Sequence, residues 1–252
     1  MKQNTIILTS GLTGSSVLTG FIAGDGYWTG FSTHMNLGEY ETYENTRLIE
    51  LNRSLLAAAG YTGNYMTEFA PAVLRKIESL YGTIEEAPFR QFLAECNEHS
   101  PWVWKDPRLW LTIRFWKNLL KPGQCCFILL SRNLWQCWIS ALLRRQIRSY
   151  RDLNSYERRI LQTNRDFVRE FGASVMEIRY DQMIAEPASV IPKINGLLGS
   201  ELGIEDLQSI YHKPLYTAPK ASLLNTAKAL LIYGKNSAQR RLRSEAATGE
   251  IA

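Results

Sequence analysis

The sequence predicts an α/β fold in which a central, mostly parallel sheet is flanked by helices. Three observations carry that expectation. Short apolar runs of strand type recur along the 252 residues, segments of helical period separate them, and 45% hydrophobic content suits one sizeable core.

Taken in order, TIILT (5–9) is a β-branched run of strand type. The turn LTSGLTGSSVLTG (8–20) breaks it, and SSVLTGFIAG has the apolar spacing of a helix, so strand, loop and helix follow one another. ENTRLIELNRSLLAAAG (44–60) puts Leu48, Leu51, Leu55 and Leu56 on one helical face, with Gly60 as the C-terminal cap. Helices are expected over 67–81 and 87–96. WVWK (102–105) is a strand, 107–120 is a segment closed by KPG, CCFILLS (125–131) is a strand, and SVMEIRY (174–180) is another. Helices over about 134–149 and 155–171 lie between the last two, and helices follow 181. Nothing divides residues 1–238, which read as a single domain, while QRRLRSEAATGEIA (239–252) reads as a flexible, solvated tail.

A net charge of +5 and a pI near 9.0 favour anionic partners, but the basic residues are spread along the chain and do not single out nucleic acid. Cys96, Cys125, Cys126 and Cys137 lack framework-like spacing, which points to a reduced, cytoplasmic setting. The stretch from Thr5 to Gly24 is too diluted by Ser, Thr and Gly for a signal core, and no other segment approaches a membrane span. The three histidines show no paired ligand spacing, so no metal is expected.

A parallel sheet gathers four loops at the C-terminal ends of its strands: Ser10 to Ser16, Lys105 to Arg108, Arg132 with Asn133, and Tyr180 with Asp181. A strand, a Gly/Ser-rich loop and a helix start form an anion site by geometry, because unpaired N–H groups converge there. Plain turn chemistry produces the same pattern. The spacing fits neither G-x-x-x-x-G-K-[ST], nor G-x-G-x-x-G, nor G-x-S-x-G. Asp106 followed by Pro107 reads as a helix cap. Lys105 and Arg108 then flank it as two cations that an anion between them would relieve. Arg132 lies just past a strand, with Ser140 in the first turns of the next helix, where a guanidinium and a hydroxyl suit a phosphate. Six of the seven tryptophans fall between 102 and 138, as core packing requires.

Together and in order, these segments resemble the sulfotransferases that use 3′-phosphoadenosine-5′-phosphosulfate (PAPS), especially the bacterial branch with a K-D-P-R motif. TSGLTGSSVL is similar to their 5′-phosphosulfate loop and YENTRLIELNRSLL to the segment after it. WVWKDPRL carries the K-D-P-R strand end, RNLWQCWIS the Arg and Ser of the 3′-phosphate motif, and IRYDQMIAEP is similar to Y-E-x-L-x-x-x-P. The resemblance covers roughly residues 5–200 and implies a P-loop-like fold. It also implies transfer of a sulfonate from PAPS, without metal, to an acceptor hydroxyl or amine, leaving 3′,5′-adenosine bisphosphate (PAP).

Under that resemblance Gly11, Thr13, Gly14, Ser15, Ser16, Lys105, Arg108, Arg132 and Ser140 bind the nucleotide. Lys105 is also catalytic, because Leu12 stands where the family carries an Arg or Lys and Lys105, ahead of Arg108, is the natural substitute. Glu44 is the first candidate for general base, with Glu39, His34 and Asp106 behind it; a supporting role at a helix start is the other reading of Glu44. Residues 24–43 and 60–66 are expected to shape the pocket for a small-molecule, saccharide or lipid acceptor. The alternatives are a nucleotide-kinase-like phosphotransferase, which wants magnesium and a loop lysine, and a catalytically degenerate nucleotide-binding protein.

Overall fold

The structure, a computed structural model, describes residues 2–36, 40–143, 149–211, 224 and 226–235. The sheet consists of β1 (Asn4–Leu8), β4 (Val103–Lys105), β5 (Cys125–Ser131) and β6 (Val175–Arg179), all parallel and ordered β4-β1-β5-β6. The remaining described elements are α1 (Ser15–Ala23), the antiparallel pair β2 (Thr33–Asn36) and β3 (Tyr40–Asn45), and α2 (Thr46–Ala58), α3 (Pro71–Glu78), α4 (Ala87–Glu98) and α5 (Leu109–Trp116). They continue with α6 (Leu134–Leu143), α7 (Tyr150–Phe171), α8 (Tyr180–Ala185), α9 (Pro187–Leu198) and α10 (Ile204–Ile210).

β1, β4 and β5 are buried on both faces, and Ile6 to Leu8, Val103 to Trp104 and Cys125 to Leu130 accordingly read as continuous apolar runs, while the edge strand β6 buries only Ile178 fully. Their period of two then sorts alternate residues onto two cores. Ile6, Leu8, Trp102, Trp104, Phe127 and Leu129 join α2, α4, α5 and α7 on one side. Ile7, Val103, Ile128, Leu130 and Ile178 join α1, α8, α9 and α10 on the other. Trp102, Trp104, Trp110 and Trp116 are fully buried, so most of the tryptophan cluster is core, whereas Trp135 is exposed. All four cysteines are free and buried. Among the described residues no helix is long and apolar enough to cross a membrane.

Several boundaries differ from the sequence reading. The β2–β3 hairpin was not anticipated, and it changes the setting of Glu44, which ends a strand instead of opening a helix. Asn45 is the N-cap of α2, its Oδ1 accepting from the N–H groups of Arg47 and Leu48 at 2.9 and 3.2 Å. The helix expected over 67–81 shortens to α3, which begins at Pro71. Ser149 caps α7, so that helix starts at Tyr150, not near 155. Past Leu143 the helix expected to 149 leaves the described residues, and the tail 239–252 lies outside them altogether.

Candidate active site

The crossover from β1 leads to β4 on one side of it, and the crossover from β5 leads to β6 on the other. That arrangement opens a crevice at the C-terminal ends of β1 and β5. The chain leaving β1 turns through left-handed backbone at Gly11 (φ 91°), Leu12 (φ 57°) and Gly14 (φ 83°) before α1 begins at Ser15. Glycine is required at 14, where a Cβ would lie 2.4 Å from the Tyr180 ring. At Leu12 the same conformation costs about 1 kcal/mol. Among the described residues no acceptor takes the N–H groups of Gly14, Ser15 and Ser16, which therefore remain available at the start of α1. Thr13 is fully buried, with its hydroxyl on that of Thr9.

On the β4 side the two cations each have their own carboxylate, so no anion between them is needed to explain their proximity. Lys105 Nζ donates to Glu44 Oε1 at 2.5 Å, to the Thr42 carbonyl at 3.3 Å and to Ser16 Oγ at 3.4 Å. Arg108 Nη1 donates to Asp106 Oδ1 at 2.8 Å. Asp106 does cap the turn ahead of α5, since its Oδ1 also accepts from the Arg108 N–H at 2.9 Å; α5 itself starts at Leu109, which leaves Pro107 outside the helix. Capping is only part of its role. Asp106 is 0% exposed, and its Oδ2 accepts from Asn52 Nδ2 at 2.8 Å while Asn52 Oδ1 accepts from Trp116 Nε1 at 2.9 Å. Of the two substitutes for the missing loop cation, Lys105 reaches the loop and Arg108 turns to Asp106 and Tyr65.

On the β5 side, Arg132 donates through Nη1 to the Leu12 carbonyl at 3.2 Å and through Nε to Gln136 Oε1 at 3.1 Å. Its guanidinium lies 5.3 Å from the centre of the Tyr180 ring. Burial pushes the Tyr180 phenol up to about 12, reinforced by Tyr211 and opposed by Arg132.

These walls enclose a cavity of about 670 Å³. Gly11, Leu12, Gly14, Ser15, Ser16, Glu44, Lys105, Arg108, Arg132 and Ser140 line it together, as does His34 from β2; Thr13 does not. Glu39 lies outside the described residues. Four cations, Arg53, Lys105, Arg108 and Arg132, face Glu44, with Asp106 behind Arg108, so the surroundings keep a surplus of two positive charges. Arg53, Tyr65, Met66 and Tyr211 also line the cavity and were not singled out from the sequence. For Arg53 a signal existed: it follows Ile49 by one turn on a helix whose other face carries the leucines.

The chain thus has a P-loop-like α/β fold, the fold of solved sulfotransferase domains. The sulfotransferase domain of the Synechococcus PCC 7002 olefin synthase is similar at a TM-score of 0.52 and 19% identity, over 89% of this chain and 84% of that one. The sulfotransferase domain from the curacin biosynthetic pathway is similar at a TM-score of 0.52 and 16% identity, over 84% of this chain and 78% of the other. At such identities the likeness is one of fold. The sequence matches no protein-family model and no curated protein.

Proposed function

We propose that the protein is a sulfotransferase that moves a sulfonate group from PAPS to an acceptor hydroxyl or amine. The observation that carries this reading is the convergence, in one cavity with surplus positive charge, of the open N–H groups at the start of α1 with Lys105, Arg132 and Ser140. The residues fit such a donor: free backbone donors and a helix dipole suit its 5′-phosphate, and a guanidinium with a neighbouring hydroxyl suits its 3′-phosphate. When bound, the donor supplies an activated sulfonate whose bond to the phosphate breaks as the acceptor oxygen takes the sulfur, leaving PAP.

The chain's own groups divide the remaining work. The N–H groups of Gly14, Ser15 and Ser16, with the two serine hydroxyls, hold the 5′ end, and Lys105 beside Ser16 stabilises charge developing on the leaving oxygen. Arg132 and Ser140 hold the 3′-phosphate. Glu44 lines the same cavity and receives the proton released by the acceptor hydroxyl. A second reading, binding without turnover, is favoured by Leu12 and by the three hydrogen bonds that already engage Lys105.

Calorimetry with PAP and with 5′-AMP tests the donor, and sulfonate transfer from PAPS separates turnover from binding. PAP is expected to bind roughly ten- to a hundredfold more tightly than 5′-AMP, a preference that Arg132→Ala removes. Equal affinities refute the assignment. Tighter binding of ATP with magnesium turns the reading toward a phosphotransferase.

A further inference from the structure

The sheet order sets the loop after β1 between the ends of β4 and β5, so the cavity has two flanks. Arg132 and Ser140 belong to the β5 flank. The β4 flank holds Arg53 and Tyr65, which have no part in the donor assignment, and Arg108, which was expected to bind the nucleotide but turns to Asp106 and Tyr65.

Two features of this flank point to a ligand. The first is charge. Lys105 has Glu44 as its counter-ion and Arg108 has Asp106, whereas Arg53, one turn beyond Ile49 on α2, has no carboxylate partner among the described residues. The second is a hydrogen whose direction is fixed. Arg108 Nη2 donates to Tyr65 Oη at 2.8 Å, so the phenolic oxygen is an acceptor there and its own hydrogen must go elsewhere. No described residue accepts it, and the Tyr65 side chain lines the cavity. A chain of hydrogen bonds anchors the group: Trp116 donates to Asn52, and Asn52 and Arg108 donate to Asp106, all buried, while the bond from Arg108 to Tyr65 is part-buried. The Tyr65 carbonyl is held as well, accepting from Trp110 Nε1 at 3.0 Å and from the Tyr156 hydroxyl at 2.6 Å. Burial raises the Tyr65 phenol, Arg108 opposes the rise, Asp106 and Glu44 add to it, and the Arg53 charge opposes it more weakly than any of these acts.

A free guanidinium beside a fixed O–H donor recognises an oxyanion. We infer that Arg53 and Tyr65 form an acceptor subsite, and that the acceptor is a hydroxy acid whose carboxylate they hold while its hydroxyl faces Glu44 and Lys105. This assignment of the acceptor rests on the sulfotransferase reading above.

The test uses two matched pairs of probes, 4-hydroxybenzoate against 4-hydroxybenzamide and 3-hydroxybutyrate against 3-hydroxybutyramide, titrated by ligand-observed NMR into the free and the PAP-saturated protein. At least one acid is expected to bind roughly ten- to a hundredfold more tightly than its amide, in line with a charge-assisted contact. Arg53→Ala is expected to remove that ratio, Arg53→Lys to keep most of it, and Tyr65→Phe to reduce it severalfold. Arg132→Ala, on the other flank, should leave it intact. Arg53 is exposed on α2, so its replacement leaves the core unchanged, and PAP affinity in Arg53→Ala serves as the check. Equal binding of acids and amides, no binding by either acid, or a ratio that survives Arg53→Ala overturns the subsite. Failure of PAP to bind removes the donor reading instead, and the acid-to-amide ratio on the free protein still decides the subsite.

Discussion

Asp106→Asn separates two accounts of one carboxylate. As a cap alone, asparagine replaces aspartate at almost no cost, because both accept a backbone N–H equally well. The structure predicts a large loss. Asp106 accepts from the Arg108 N–H and guanidinium through Oδ1 and from Asn52 through Oδ2, in a site that is 0% exposed. An asparagine there has one acceptor oxygen and one NH₂ group. Turning the oxygen to Arg108 sets the NH₂ against Asn52 Nδ2, donor against donor. Flipping Asn52 relieves that clash but surrenders the bond from Trp116 Nε1. In either arrangement Arg108, 6% exposed, loses its counter-ion. Removing one partner of a buried ion pair costs about 3–5 kcal/mol. For a chain of this size that lowers the thermal midpoint by roughly 6–20 °C, and the urea midpoint by about 1–2.5 M at a slope of roughly 2–3 kcal/mol/M. Chemical and thermal denaturation of the variant beside the parent measure it. A loss below about 1 kcal/mol would mean that Asp106 is a cap and little more.

Two further outcomes are expected. Glu44→Gln is expected to cut sulfonate transfer by about 10² to 10⁴ while PAP binding tightens, because Lys105 loses its counter-ion; near-normal transfer in steady-state assays moves the base role to Glu39 or His34. Burial pushes the thiols of Cys96, Cys125 and Cys137 up to about 12 from an ordinary 9.0. The unfolded chain therefore releases these protons first, so their contribution is constant below about pH 9 and is lost as the pH rises from there toward 12. Denaturation midpoints measured from pH 7 to 11 are expected to fall in the upper part of that range, and thiol reagents at pH 8 to modify these cysteines only on unfolding; rapid labelling of the folded protein contradicts this.

Three strands of the sheet were legible because β1, β4 and β5 are buried on both faces, so TIILT, WVWK and CCFILLS announce themselves without alternation, whereas β6 lies at an edge with Val175, Glu177 and Arg179 exposed. The β2–β3 hairpin was not legible. THMN and YETYEN are short and polar, and Tyr43 takes a left-handed backbone at φ 56° that no L-residue advertises in sequence. Missing that hairpin hid the partner of Lys105, because Glu44 read as the first residue of a helix. The residues that line the cavity were recoverable wherever they end a strand or follow it directly, as Lys105 and Arg132 do. Tyr65, in the irregular stretch between α2 and α3, reaches the cavity through contacts with Arg108, Trp110 and Tyr156, which lie 43 to 91 positions away.

The central place of β1 in the sheet bears on how the chain is made. It is synthesised before the other three strands of its sheet, yet its neighbours are Val103 to Lys105 and Cys125 to Leu129. At translation rates of about 5–20 residues per second, Asn4 precedes Cys125, its partner in β5, by roughly 6–24 s. Through that interval Ile6, Ile7 and Leu8, with the apolar face of α1 behind them, have no sheet to join. The hairpin of β2 and β3 is synthesised in the meantime and pairs locally, whereas the leucine face of α2 waits, like β1, for the later segments it packs against. Closure of the sheet over such sequence separations is the slow kind of pairing, because the loop-closure entropy is spent before the contacts form.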